Sequence, residues 1–107
     1  MTMKVAKRRR LEKRGWKFGD PADFLGLSDD EWVLLELKFT LGQNLKVRRI
    51  ERNWTQSQFA EIVRSSQSRV AKMESGDPTV SLDLLVKSLL ATGMNRMELA
   101  RVISGSG

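Results

Sequence analysis

The chain has 107 residues, of which 40% are hydrophobic and 30% charged, and its formal net charge is +6. This length suits one domain with a tail. Cysteine and histidine are both absent, which excludes disulfides, thiol catalysis, cysteine-ligated zinc and a histidine general base. No glycine-rich phosphate loop occurs either. We therefore expect a protein that is not an enzyme and that needs no cofactor or metal.

Apolar runs in the sequence are short. The longest, Trp32-Val33-Leu34-Leu35, covers four residues, whereas a membrane span needs roughly 18. The basic N-terminus is not followed by an apolar stretch of signal-peptide length. The sequence therefore predicts a cytoplasmic protein with no membrane partner.

Charge is unevenly distributed along the chain. Residues 1–17 contain eight Lys or Arg against one acid, and residues 20–36 contain six acids and no base. Residues 46–72 contain seven bases against two acids. A basic segment inside a nearly neutral body is typical of a protein that contacts a polyanion.

Residues 1–27 lack sustained periodicity and are interrupted by glycine and proline, so we expect a flexible N-terminal arm. The basic run at residues 7–10 has three interpretations. It is a solubilising tail, an arm along DNA phosphates, or a contact with a protein partner.

From residue 28 onward, residues that can cap a helix recur before apolar-periodic segments. Three of these starts have the pattern of a capping box, namely Ser28 with Glu31, Thr55 with Gln58, and Asn95 with Glu98. Ser66 and Ser81 can cap without a reciprocal partner.

These starts predict five helices, at about 29–52, 56–63, 67–75, 82–92 and 96–104. Asn53, Gly76 and Gly93 lie where helix ends favour a left-handed residue. Strand patterns are missing, so the predicted fold class is all-α. Residues 28–104 would form the domain and residues 105–107 a flexible tail.

The first predicted helix carries more apolar residues than one amphipathic face needs. Either much of this surface lies in the core, or one stripe contacts another protein. Gly42 in its middle predicts a kink or close packing.

Residues 55–76 contain two short helical segments joined by a turn, which is the pattern of a helix-turn-helix. Phe59, Ala60 and Val63 of the first segment, and Val70 and Met73 of the second, are predicted to face inward. The outward face of the second segment supplies the candidate DNA-binding residues: Ser66, Gln67, Ser68, Arg69 and Lys72.

Each of these side chains has a counterpart on DNA. Glutamine can bond adenine bidentately, lysine and arginine suit guanine or phosphate, and serine serves either base or backbone. Gln56, at the start of the preceding helix, is placed to contact a phosphate, and so are Thr55 and Arg64. The alternative is a merely solvated helix surface, which explains neither the turn spacing nor the local positive charge.

Residues 41–93 resemble the helix-turn-helix domain of phage-type (Cro/CI-type) repressors and of the xenobiotic-response-element class of bacterial regulators. The matching motifs are Thr55-Gln56, Phe59-Ala60-Glu61, Ser66-Gln67-Ser68, Val70, Met73-Glu74 and Gly76.

This resemblance implies a five-helix lambda-repressor-like domain that binds a double-stranded DNA operator as a homodimer. It would be bacterial or phage-derived, and nucleoid-associated when bound. Gln56 would contact phosphate, and Gln67, Ser68 and Lys72 would face bases. Arg49 and Glu74 would form a structural ion pair.

The chain departs from the family pattern in the turn. Arg64 stands where the family usually has glycine, and Ser65 stands where it has an apolar residue. A positive φ at Arg64 would cost on the order of 1 kcal/mol.

The upstream segment FGDPADFLGLSDDEWVLLELKFTLGQNLKVRR is similar to the region preceding the helix-turn-helix in HigA-type antitoxins. This similarity implies a RelE-like or HigB-like ribonuclease toxin as partner. Acids in the segment would complement a basic toxin. Apolar side chains in the segment and just before it would be the toxin-binding residues: Trp16, Phe18, Phe24, Leu25 and Trp32. The alternative is a leader packed on its own domain.

Three functions remain open: an antitoxin that represses its own operon, a stand-alone phage-type repressor, and a protein-interaction module with only weak DNA binding. The fifth helix carries Leu99, Val102 and Ile103, which would form either a dimer surface or part of the core.

Overall fold

The structure is a computed structural model that describes residues 28–105, and these residues form five α-helices. The helices are α1 (Asp29–Glu51), α2 (Gln56–Ile62), α3 (Gln67–Ser75), α4 (Leu82–Ala91) and α5 (Arg96–Ser104). The five predicted helices and the all-α class are therefore confirmed, since residues 28–105 contain no strand. None of the five helices is long and apolar enough to cross a membrane.

The chain divides into two compact units between Leu35 and Glu36. Of the first unit, the structure describes residues 28–35, where α1 begins. The Ser28 N–H donates to Glu31 Oε1 at 3.0 Å, and the Glu31 N–H donates to Ser28 Oγ at 3.1 Å. The predicted capping box is thus confirmed. The Ser28 backbone N–H, and after it the Ser28 hydroxyl, hold the pKa of Glu31 below its usual value.

The second unit is built around one hydrophobic core, to which all five helices contribute. Its fully buried side chains include one or two from each of α1 to α4: Leu41, Leu45, Phe59, Val70, Met73, Leu85 and Leu89. Trp54 stacks on Phe59 with ring centroids 5.7 Å apart, which fixes the entry into α2. The inward residues predicted for the helix-turn-helix are confirmed, since Val63 also packs against this core.

The helix ends follow the capping pattern in the sequence. Thr55 and Asn95 form capping boxes with Gln58 and Glu98. Ser66 and Ser81 each accept a bond from the backbone without a reciprocal partner. Left-handed conformations occur at the three expected positions, with φ values of 57° at Asn53, 74° at Gly76 and 96° at Gly93.

The long α1 has both a core face and an exposed face. Leu41 and Leu45 are fully buried, whereas Phe39, Val47 and Ile50 are about half exposed. Gly42 marks a close approach, because a Cβ there would overlap the Met73 carbonyl oxygen and lie 3.3 Å from the Gly76 nitrogen. The helix continues through Gly42, so close packing is the correct explanation of this glycine.

In α5, Val102 is buried and Leu99 packs against the core, while Ile103 is 47% exposed. Val102, and Leu99 in part, therefore belong to the core, whereas a dimer surface on α5 stays a prediction. Val102 and Leu99 are directed inward because one face of this short helix must cover the apolar side chains beneath it.

Candidate nucleic-acid interface

The turn between α2 and α3 is held by backbone hydrogen bonds. The Ser65 N–H donates to the Ala60 carbonyl at 2.8 Å, and the Arg64 N–H donates to the Glu61 carbonyl at 3.2 Å. Ser66 then starts α3 by accepting the Arg69 N–H at 3.2 Å. Ala60 of α2 is buried, and a side chain this small lets two helices approach closely.

Arg64 adopts the left-handed conformation, with φ of 55°. This is the strained backbone that its place in the turn predicts. Its side chain is exposed and makes no hydrogen bond or ion pair to any residue within 28–105. The strain is therefore not offset by a contact inside the described part of the fold.

The outward face of α3 is polar and exposed. The side chains of Gln67, Ser68, Arg69 and Lys72 all lie on it, while Val70 and Met73 on the opposite face are fully buried. Ser66 and Ser68 are close together, with their Oγ atoms 3.3 Å apart. The arrangement is that of a helix whose apolar side anchors it and whose polar side is open to a groove.

The end of α3 is tied to α1 by a nearly buried ion pair. Arg49 Nε donates to Glu74 Oε2 at 2.6 Å, and Arg49 Nη2 donates to Glu74 Oε1 at 3.1 Å. Arg49 Nη1 also donates to the Trp54 carbonyl at 2.7 Å. This bidentate geometry is the strongest form of arginine–carboxylate contact, and it joins the two residues that the resemblance pairs.

Gln56 connects this ion pair to the surface of α3. Its Nε2 donates to Glu74 Oε1 at 3.1 Å, and its Oε1 accepts from Gln67 Nε2 at 2.6 Å. The Gln56 side chain is thus already engaged on both sides, and only one of its two amide hydrogens remains for a DNA phosphate.

Sequence reasoning missed several of these supports. Neither the Gln56–Gln67 bond nor the bond from Gln43 Nε2 to the Glu74 carbonyl at 3.0 Å has a periodic signal. The glycine at position 42 could have indicated the Gln43 contact, because a glycine inside a helix predicts that the backbone of another element lies against it. Lys38 Nζ also donates to the Pro78 carbonyl at 2.8 Å.

The loop after α3 carries a perturbed acid. Asp77 Oδ1 accepts from Thr79 Oγ1 at 2.6 Å and from the Thr79 N–H at 2.8 Å. These two bonds hold the pKa of Asp77 below its usual value, and the positive charges of Lys72 and Lys38 add to the effect. Lys72 therefore lies near a charge of opposite sign at the end of the exposed face.

The predicted toxin-binding residues are only partly described. Trp32 is half-buried on α1, and the other four lie outside residues 28–105. No DNA-binding candidate is missing from the described region, and Thr55 is exposed at the start of α2.

A family model described as helix-turn-helix matches residues 45–99, slightly more than half of the chain. The chain belongs to this helix-turn-helix family, of the Cro/CI type. No curated protein and no solved structure matches it. Helix-turn-helix proteins of this family are sequence-specific DNA-binding regulators, and the matched domain is regulatory rather than catalytic.

Proposed function

We propose that α3 enters the major groove of an operator and reads it with Gln67, Ser68, Arg69 and Lys72. The observation that carries this proposal is that the polar face of α3 is exposed while the helix itself is held in place by buried contacts. The face is anchored by the core on one side and by the Arg49–Glu74 pair at its end. A base-reading side chain discriminates only when its own position is fixed.

The residues around the start of α2 and α3 supply the phosphate contacts. Gln56 retains one amide hydrogen beyond its bond to Glu74, and Thr55, Ser66 and Arg64 are exposed nearby in sequence. Such contacts set the register of a protein on the duplex and carry no sequence information. Binding as a homodimer would place two copies of α3 on a two-fold operator.

We further propose that the chain is the antitoxin of a type II pair, which neutralises a RelE-like or HigB-like ribonuclease toxin and represses its own operon. The similarity of the upstream segment to HigA-type antitoxins motivates this role. Chemistry at the start of α1 is compatible with it, because Asp29, Asp30 and Glu31 form an acidic first turn. Such a turn would complement the basic surface of a ribonuclease.

Two alternatives predict different behaviour. A stand-alone phage-type repressor would bind its operator tightly and have no toxin partner. A protein-interaction module would bind its partner tightly, but would bind specific and random DNA equally weakly. The nature of the adjacent reading frame helps to separate them, because a basic protein of about 100 residues is expected there for an antitoxin.

The test uses two variants, one that should lose toxin neutralisation alone and one that should lose operator binding alone. Deleting residues 1–27 should abolish neutralisation of the adjacent gene product in co-expression, while the purified variant still binds the operator. Gln67→Ala should weaken operator binding and leave neutralisation intact. If the deletion leaves neutralisation unchanged, the partner assignment is wrong. If Gln67→Ala leaves operator binding unchanged, the DNA-reading assignment is wrong.

A further inference from the structure

Four side chains form a hydrogen-bonded chain that runs from the interior to the exposed face of α3. Arg49 donates two bonds to Glu74, Gln56 Nε2 donates to Glu74 Oε1 at 3.1 Å, and Gln67 Nε2 donates to Gln56 Oε1 at 2.6 Å. All of these donors point toward Glu74. From Gln67 at the surface to Glu74 in the interior, each hydrogen bond is therefore donated in the inward direction.

Glu74 fixes that direction. A carboxylate accepts hydrogen bonds and donates none, so Gln56 must turn its NH2 group toward Glu74 and its oxygen away. That oxygen in turn requires the NH2 group of Gln67. Reversing the Gln56 amide would set its oxygen against Glu74, which is only 4% exposed, so water could not relieve that mismatch. Reversing the Gln67 amide would replace its bond to Gln56 Oε1 by a contact between two acceptors.

The orientation of the Gln67 amide leaves one N–H and the oxygen Oε1 for DNA. A donor beside an acceptor matches adenine, which presents N7 as acceptor and the N6 amino group as donor in the major groove. Guanine presents two acceptors, N7 and O6, so it would face the Gln67 oxygen with no hydrogen to share.

We propose that Glu74, without touching DNA, is the positioning residue that makes Gln67 select adenine over guanine. The inference rests on the proposed function, in which Gln67 faces the bases. It predicts that base preference, and not merely stability, depends on the acceptor-only character of residue 74. The isosteric change Glu74→Gln leaves one acceptor oxygen, which the shorter bond from Arg49 Nε at 2.6 Å retains, at the expense of the 3.1 Å bond from Arg49 Nη2. The new NH2 group then takes the place of Oε1 and can donate to Gln56, which allows both glutamine amides to reverse and Gln67 to offer its NH2 group to guanine.

The experiment uses the full-length chain and duplexes selected from a random library. The position read by Gln67 is the one at which preference disappears in Gln67→Ala. Affinities are then compared for two duplexes that differ only by adenine or guanine there. The wild-type chain should prefer adenine by about 5- to 150-fold, and Glu74→Gln should bring the ratio close to one.

Two further variants make the result specific. Glu51→Gln removes the same charge from an exposed position at the end of α1, and it should keep the wild-type ratio. Gln56→Ala interrupts the hydrogen bonds between Gln67 and Glu74 without touching the Arg49–Glu74 pair, so it should also lower the adenine-to-guanine ratio. It provides the test if Glu74→Gln does not fold. Thermal unfolding identifies which variants are folded.

An unchanged adenine-to-guanine ratio in folded Glu74→Gln, or in Gln56→Ala, overturns the inference. Equal weakening of both duplexes also overturns it, because that result means that Glu74 supports the fold alone. A wild-type chain that selects no sequence from the library has a different meaning, since it overturns the proposed function and the inference with it.

Discussion

Arg49 and Glu74 are both largely out of contact with water, with side chains 12% and 4% exposed. Removing one partner of such a pair leaves a buried charge without compensation, which typically costs about 3–5 kcal/mol. We therefore expect Arg49→Ala to lower the free energy of unfolding by about this amount in urea denaturation. Arg96→Ala, at an exposed arginine of α5, is the control and should change it by less than about 0.5 kcal/mol. Similar effects in the two variants would mean that the ion pair is not a significant support of α3.

Replacing Arg64 by glycine should change stability and operator binding in opposite directions. Glycine adopts a positive φ without steric cost, so Arg64→Gly should stabilise the fold by about 1 kcal/mol. If the guanidinium contacts a phosphate, the same change should weaken operator binding and reduce the slope of log K against log salt by about 1.

The control for Arg64→Gly is Asn53→Gly, which relieves a left-handed residue at the end of α1. Because asparagine tolerates this conformation better than arginine, the gain in stability should be smaller, and the salt slope should not change. An Arg64→Gly variant that binds the operator with the wild-type salt slope would rule out the phosphate contact.

At the scale of elements, the helices could be predicted closely because their ends are determined locally. Each capping residue bonds to a backbone group only three positions away, as Thr55 does with the Gln58 N–H at 3.0 Å, so the information lies within one short stretch of sequence. How the helices contact one another could not be predicted in this way. The Gln56–Gln67 and Gln43–Glu74 contacts join residues 11 and 31 positions apart, and they depend on helix crossing geometry that no local pattern encodes.

The crossing of α1 with the end of α3 depends on Gly42. In an isolated helix, glycine to alanine is stabilising by about 1 kcal/mol. Here the added Cβ would overlap the Met73 carbonyl oxygen, which is backbone and cannot rotate away. We therefore expect Gly42→Ala to destabilise the fold by about 1–3 kcal/mol, as measured by chemical denaturation.

Lys46→Ala is the matched change one turn further along α1, at an exposed side chain. It should leave the free energy of unfolding nearly unaltered. A stabilised Gly42→Ala variant would show that α1 and α3 do not approach as closely as the structure places them.

At the scale of the whole molecule, the absence of histidine and cysteine has a consequence for pH dependence. No side chain of ordinary pKa changes its charge between about pH 6 and about pH 8, so stability should be nearly constant there. Glu31 and Asp77 have pKa values below their usual ones in the folded state. Their stabilising contribution is therefore complete above the unfolded pKa and is lost as pH falls through the folded pKa.

This prediction is checked by thermal unfolding across the acidic range. Asp77→Asn should reduce the decrease of Tm below about pH 5, because the substituted side chain does not titrate. A Tm that changes steeply between about pH 6 and about pH 8 would contradict it.

The sequence pattern predicted the exposed and buried faces of α3 better than those of α5. Periodicity separated the exposed face of α3 from its buried face, because the two alternate at helical spacing. Periodicity did not separate core from surface in α5, where Val102 is buried and Ile103 exposed, since these two apolar residues are adjacent and the pattern does not show where the buried face ends.

The most direct test of DNA reading by α3 is the affinity of the wild-type chain and of Gln67→Ala for two duplexes at one fixed salt concentration. One duplex is the operator selected by the wild-type chain, and the other is a scrambled sequence of equal length. If Gln67 reads a base, the variant should lose about 1–3 kcal/mol on the operator and almost nothing on the scrambled duplex. Equal losses on both duplexes, or no loss on either, would contradict a base-reading role for the exposed face of α3.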